Sequence, residues 1–266
     1  MPSEPPTRPR RPCAAVGAAP AAPAVAAVSA ALAALAALVA PRPAHACGAA
    51  YPGGPMVCNL SDAPAARPLV RVGLSYSFTS TTILFGSGRR ADLIRHAAFV
   101  SAELPLGERA ALSVSTGGVA GGHLDDGQRR FSLGPGFANA IGASYRLVDG
   151  RGAAPLVLLT GAFSFTHART SGGGESPSFT AFDARAGALV GKTIADVVTP
   201  YALGRVFGGP IFWRFRGDAV TGTDLYKYQA GAGLSARLFG HRVDAFVEGV
   251  AVGERGVSAG AGLSFF

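Results

Sequence analysis

From residue 69 to the end of the chain, apolar residues alternate with small or polar ones at a period of two. Val70, Val72, Leu74, Tyr76 and Phe78 are interleaved with Arg71, Gly73, Ser75, Ser77 and Thr79. Successive strand side chains point to opposite faces, so such a strand has one greasy face and one small or polar face. The same parity sets Ala98, Val100, Ala102 and Leu104 against Arg95, Ala97, Ser101 and Glu103, with Phe99 out of step. Leu133, Phe137, Ile141, Ala143, Tyr145 and Leu147 oppose Gly134, Ala138, Gly142, Ser144 and Arg146. Val157, Leu159, Phe163 and Phe165 oppose Thr160, Ala162, Ser164 and Thr166, and Phe182 to Val190 alternates with Asp183, Arg185 and Gly187. Tyr226 to Leu238 alternates with Lys227, Gln229, Gly231, Gly233, Ser235 and Arg237; Val243, Ala245 and Val247 oppose Asp244, Phe246 and Glu248. Between 201 and 215 most of the aromatic residues and Arg205 share a parity, so 201–206 reads as a strand whose facing stays open.

Ten runs follow: 69–80, 93–104, 110–120, 131–147, 155–167, 179–191, 199–206, 224–238, 243–253 and 257–266. The connections alternate in length. Short ones at 105–109, 149–152 and 239–242 alternate with longer, more polar ones at 81–92, 121–130, 168–178 and 207–223. Short turns at one end and longer loops at the other are the arrangement of a membrane barrel. Most runs reach the roughly 9–11 tilted residues that cross a bilayer. A sheet in lipid must close, because unpaired backbone groups there have no water to bond. The expected fold is all-β: a closed antiparallel up-and-down transmembrane β-barrel of about ten strands, with eight or twelve as the neighbouring counts. With an even count, both ends of the barrel domain lie on the side of the short turns. A soluble sandwich or lipocalin-like barrel would bury the Leu/Val/Phe face and leave the charged face outside.

The N-terminus has a different pattern. Arg8, Arg10 and Arg11 precede an uncharged run from 21 to 40, followed by Pro41, Arg42, Pro43 and the Ala44-His45-Ala46 triplet. A basic region, an apolar stretch and an Ala-x-Ala site define a cleaved secretory signal over 1–46. The other meaning of the run is a retained transmembrane helix. Residues 47–68 then form a periplasmic extension, and 69–266 the barrel. Cys47 and Cys58 bracket a turn-rich segment and, in an oxidising compartment, are expected to form a disulfide. Cys47 as first mature residue is also where a bacterial lipoprotein would be acylated.

With a signal peptide, period-two strands, alternating turn lengths and the aromatic C-terminal Phe266, residues 69–266 resemble the small outer-membrane β-barrels of Gram-negative-type bacteria. The resemblance implies location in the outer membrane, contact with outer-membrane lipid and insertion by the barrel-assembly machinery through the C-terminal strand. It is architectural and says little about activity.

Composition agrees with export and with a sheet. Of 266 residues, 37 are Gly, and only 15% are charged against 48% hydrophobic, which excludes a disordered chain. The formal charge of +8 is spread singly along the chain, without the basic run that nucleic-acid binding would need.

If the greasy face meets lipid, Arg71, Arg95, Glu103, Arg146, Asp183, Arg185, Lys227, Arg237, Asp244 and Glu248 line the lumen. Opposite charges there would pair, since an unpaired charge away from water is costly. The alternative is a narrow small-solute pore, slightly cationic and favouring anions. The segment His123-Leu124-Asp125-Asp126 offers an acid/base set but also ordinary turn chemistry, so a barrel protease or lipid hydrolase is the lesser alternative. The segment with Trp213, Arg214 and Arg216 is expected to supply an interfacial anchor or a surface for adhesion and partner docking. No metal-ligand spacing or cofactor fingerprint is present, and no cofactor is expected.

Overall fold

The chain is described here by a computed structural model that covers residues 48–49, 56–57, 69–150, 152–172, 174, 176–195, 197–215, 218–239 and 242–266. Fourteen strands lie among them. Two are short, β1 (Gly48–Ala49) and β2 (Met56–Val57), and they pair with each other, Gly48 opposite Val57. Then come β3 (Val70–Phe85), β4 (Arg90–Leu106), β5 (Ala110–Asp125), β6 (Arg130–Asp149), β7 (Leu156–Ser171), β8 (Ser178–Gly191) and β9 (Val198–Gly208). The last five are β10 (Ile211–Phe215), β11 (Asp218–Asp224), β12 (Tyr228–Leu238), β13 (Val243–Gly253) and β14 (Arg255–Phe265).

Ten strands form a closed antiparallel ring in the order β3-β4-β5-β6-β7-β8-β9-β12-β13-β14, with β14 returning to β3. All ten runs of the sequence pattern are in it. The first six strands are longer than the alternation suggested: the polar stretches at 81–92, 121–130 and 168–178 largely continue the ladders. Leu84 pairs with Arg90, Asp125 with Arg130 and Arg169 with Ser178, which leaves four to eight residues at each tip.

The fourth polar stretch, 207–223, is where the structure departs most from a loop. It contains the β10–β11 hairpin, which inserts between β8 and β3 at the end of the barrel away from the short turns. β8 pairs with β9 over 184–191 but with β10 over 179–181. β3 pairs with β14 over 70–80 but with β11 over 83–85. Both strands therefore change partner partway along. A ten-strand ring passes into an eight-strand ring, β3-β4-β5-β6-β7-β8-β10-β11, and narrows, since barrel diameter grows roughly linearly with strand number.

The outward face carries the greasy parity. Leu74, Val100, Val114, Ile141, Phe163, Val206, Val257 and Leu263 are exposed, a surface compatible with lipid and not with water. At its border towards the narrow ring stands a belt of outward rings, with Tyr76 and Phe78 against His96, Phe137 against Phe165 and His167, and Phe182 against Phe163, Phe165 and Phe212. Beyond it the outward positions turn polar, as at Ser80, Thr82 and Asp92.

Inward parity also resolves what the sequence left open. Tyr201, Leu203, Arg205 and Phe207 point into the barrel. Phe99 is buried over Gly117 of the neighbouring strand, where an added Cβ would lie 2.8 Å from its ring. Tyr201 covers Gly233 and Phe246 covers Gly260 in the same cross-strand manner. Much of the glycine inside the barrel thus provides room for a large side chain opposite. Leu133 is buried and inward rather than outward, because the ladder slips between Leu133 and Gly136 and reverses the parity. The β1–β2 pair touches β12 and β13 on one side and β3, β4 and β5 on the other. Those strands bound more than half of the ring, so the pair lies across the mouth of the ring or inside it.

Candidate functional site: the lumen and its cap

The barrel interior is layered. Near the short turns, Arg71 meets Glu103 at 2.8 Å and donates to Ser264 Oγ at 3.3 Å, while Arg237 meets Asp244 at 3.2 Å. Arg146 pairs loosely with Asp149 at 3.9 Å. Farther along, the Arg205 guanidinium grips both oxygens of Glu248 at 2.7 and 3.0 Å, Tyr201 Oη donates to the same carboxylate at 3.2 Å, and Arg205 also donates to Gln229 Oε1 at 3.4 Å. Beside this layer Leu156, Leu158, Leu189 and Leu203 pack inward, so the interior is partly apolar even here.

The third layer is built on Arg185, which bonds Asp183 and, at 2.5 Å, Glu254, with its guanidinium 4.4 Å from the centre of the Phe207 ring. Arg95 donates to Thr166 Oγ1 at 3.4 Å and Thr81 donates to Asp224 at 3.0 Å. These groups enclose a cavity of about 40 Å³, room for a few waters and little else. Asp224 ends β11, in the hairpin outside the membrane-crossing strands. Burial, then the nearby Glu254, pushes its carboxyl up to about 6.

Above this layer the lumen ends. Ile83, Phe85, Leu93, Leu124, Phe131, Leu133, Phe179, Ile211 and Trp213 fill the eight-strand ring as one buried apolar cluster. Trp213 is 3% exposed, edge-on to Phe131 at 5.0 Å and tilted against Phe85 at 5.8 Å. An eight-strand ring is just wide enough for side chains to fill, and here apolar ones fill it.

Nine of the ten charges expected in the lumen lie on inward positions. Lys227 does not join them: it is exposed, in the connection between β11 and β12. Arg205, Asp224 and Glu254 were missed, and with them these inward charges are six basic and six acidic. Arg205 sits in the one run whose facing parity leaves open, and Glu254 lies just past Gly253, the end of the 243–253 run. Trp213 is neither an interfacial anchor nor a docking residue, because the hairpin turns it into the apolar core. Arg214 is exposed, and Arg216 lies outside the described residues, as do Cys47, Cys58 and 1–46.

Of the His/Asp set, Leu124 is core while His123 and Asp125 face outward. Asp125 accepts the Gly127 N–H at 2.9 Å, the chief reason its carboxyl is held below the usual range. Asp126 accepts from the Gln128 and Arg129 amides at 3.0 and 2.7 Å. Both carboxylates therefore serve the turn between β5 and β6.

The fold and its apolar outer surface define the class: a closed antiparallel transmembrane β-barrel. Comparison with solved structures finds outer-membrane barrels. The translocator domain of the autotransporter NalP from Neisseria meningitidis is 13% identical, over 76% of this chain and 90% of that one, with a TM-score of 0.46. The transport unit of the autotransporter AIDA-I from Escherichia coli is 9% identical, over 76% and 92%, with a TM-score of 0.42. The Pseudomonas putida toluene transporter TodX is 9% identical, over 84% and 97%, with a TM-score of 0.29. No family model and no curated protein match the sequence.

Proposed function

We propose that this chain is an integral protein of a bacterial outer membrane whose barrel is sealed at rest, with a structural role in the envelope and, at most, passage of small solutes. In this reading 1–46 is a cleaved signal, the short turns face the periplasm, the β10–β11 hairpin faces outward, and the assembly machinery engages β14. The observation that carries it is the pair of barriers in series: a charge-balanced network across the ten-strand section and an apolar cap filling the eight-strand section. An open pore needs continuous water, and the cap interrupts it.

Two measurements test the proposal. The protein should fractionate with the outer membrane and change gel mobility on heating in detergent; recovery as a soluble periplasmic protein would overturn it. In planar bilayers it should show little or no conductance, and any residual current should be weakly selective, because inward charges balance. Large, steady channels in the unaltered protein would overturn the sealed state. An adhesive role for the outer tips is the second reading, favoured only by the exposed Arg214 beside the buried tryptophan.

A further inference from the structure

Where β12, β13 and β14 stop and the narrow ring rises beyond them, the outside of the barrel forms a ledge against a wall. The recess between them has a volume of about 700 Å³. Its floor is Tyr226, Tyr228, Val252 and Arg255. Its wall is built from outward positions in register, Ser80 beside Arg255, Thr82 beside Asp92, and Asp92 beside Asp125 with Arg130 next in the row.

We propose that this recess holds the phosphate-bearing headgroup of a lipid from the surrounding leaflet. The inference rests on the reading above that the barrel is embedded in a membrane. Three observations point to this occupant. The recess opens on the outer surface just beyond the Tyr76–His96–Phe78 rings, the level at which a barrel's aromatic belt meets headgroups. It grades from apolar to charged in the same direction as a lipid does: Val252 is half exposed and the two tyrosine rings lie against each other, while the arginines stand among polar neighbours.

The charge balance is the third observation. The acids are already engaged, Asp92 by Thr82 Oγ1 at 2.6 Å and Asp125 by Gly127 and by Arg130 at 3.4 Å. Arg255 is exposed and has no ion pair among the described residues. An arginine free to bond, with two tyrosines lining the same recess, is suited to phosphate oxygens. Arg130 holds Asp125 only through one long contact with its own side chain 67% exposed, so it can swing to share the anion.

Retention of lipid in native mass spectrometry tests the proposal. Delipidated protein in a non-ionic detergent is offered phosphatidic acid, diacylglycerol with the same chains, or inorganic phosphate. Phosphatidic acid should stay bound and diacylglycerol should not. Arg255→Gln should weaken retention roughly tenfold, the loss of one charge-assisted contact, and Arg255→Lys should keep most of it. Arg109→Gln, a surface arginine at the short turns, is the control and should change nothing. Equal retention by Arg255→Gln and the unaltered protein, an equal loss in Arg109→Gln, or inorganic phosphate binding as well as the lipid would each overturn the proposal. Heat-modifiable mobility and membrane insertion report on the barrel independently: if these persist while lipid is lost or never held, the headgroup site fails alone.

Discussion

The indole Nε1 of Trp213 donates a 3.1 Å hydrogen bond to Thr170 Oγ1, whose own hydroxyl donates to the Pro177 carbonyl at 2.9 Å. Trp213 belongs to β10 and Thr170 to β7, with β8 between them, so the bond crosses the inside of the narrow ring. It ties the inserted hairpin to the wall it closes. The edges of the hairpin add only three register pairs to β8 and three to β3, which makes side-chain packing its main attachment.

Trp213→Ala should therefore both destabilise and unseal the barrel. Truncation of a buried tryptophan costs about 3–5 kcal/mol, read as a lower temperature for the heat-modifiable mobility shift. Current fluctuations should appear in planar bilayers where the unaltered protein shows none. Trp213→Phe keeps most of the packing and loses the bond to Thr170, at a cost of about 1 kcal/mol; an unchanged seal in both variants would show that the cap lies elsewhere.

The Arg205–Glu248 pair predicts a non-additive result. Arg205→Met leaves Glu248 charged and buried with Tyr201 as its remaining donor, and removal of one partner of a buried pair costs about 3–5 kcal/mol. The double variant Arg205→Met, Glu248→Leu should recover most of that loss, because apolar groups in place of both charges carry no desolvation cost. Denaturant titration of the four proteins of this cycle decides it, and simple additivity would count against the pairing.

Asp224 predicts a dependence on pH. Its carboxyl is raised to about 6 in the folded barrel from 3.8, so the folded state binds the proton more tightly than the unfolded state does. The resulting stability is fully present below about pH 4 and is lost as pH rises through 6, with a ceiling of about 3 kcal/mol. Asp224→Asn keeps the acceptor for Thr81 and cannot ionise. Its stability relative to the parent should rise from pH 4 to pH 7, and a flat difference would show that Asp224 titrates normally.

Cys47 precedes β1 in sequence and Cys58 follows β2, and both lie outside the described residues. A disulfide is the expected state in an exported protein, with an entropic benefit on the order of 3 kcal/mol for a loop of this size. In unreduced material both thiols should resist alkylation until a reductant is added. Free thiols, or an acyl chain on Cys47, would contradict it.

The alternation in β3 or β14 can be read from a few residues, because lipid selects an apolar side chain at every second position whatever the strand's neighbours are. The ring's strand count and order followed from that parity and from connector lengths. The inward face gave less, since a residue there answers to whatever lies across the lumen. Phe99 broke the parity because Gly117 of the next strand makes room for it. Arg205 had no facing assigned because its partner, Glu248, lies 43 residues away.

The sequence by itself determined that residues 69–266 would hold period-two strands that close on themselves and turn one apolar face outward, for these are local consequences of side-chain parity and of the cost of unpaired backbone in lipid. Only the tertiary structure decided that β8 and β3 exchange partners partway along and admit the hairpin of 211–224 between them. The same exchange carries Trp213 from an apparent surface loop into the core that closes the barrel. The physical reason is that strand pairing is a long-range contact: β11 meets β3 across more than 130 residues of chain, and no window of sequence contains both edges of that choice.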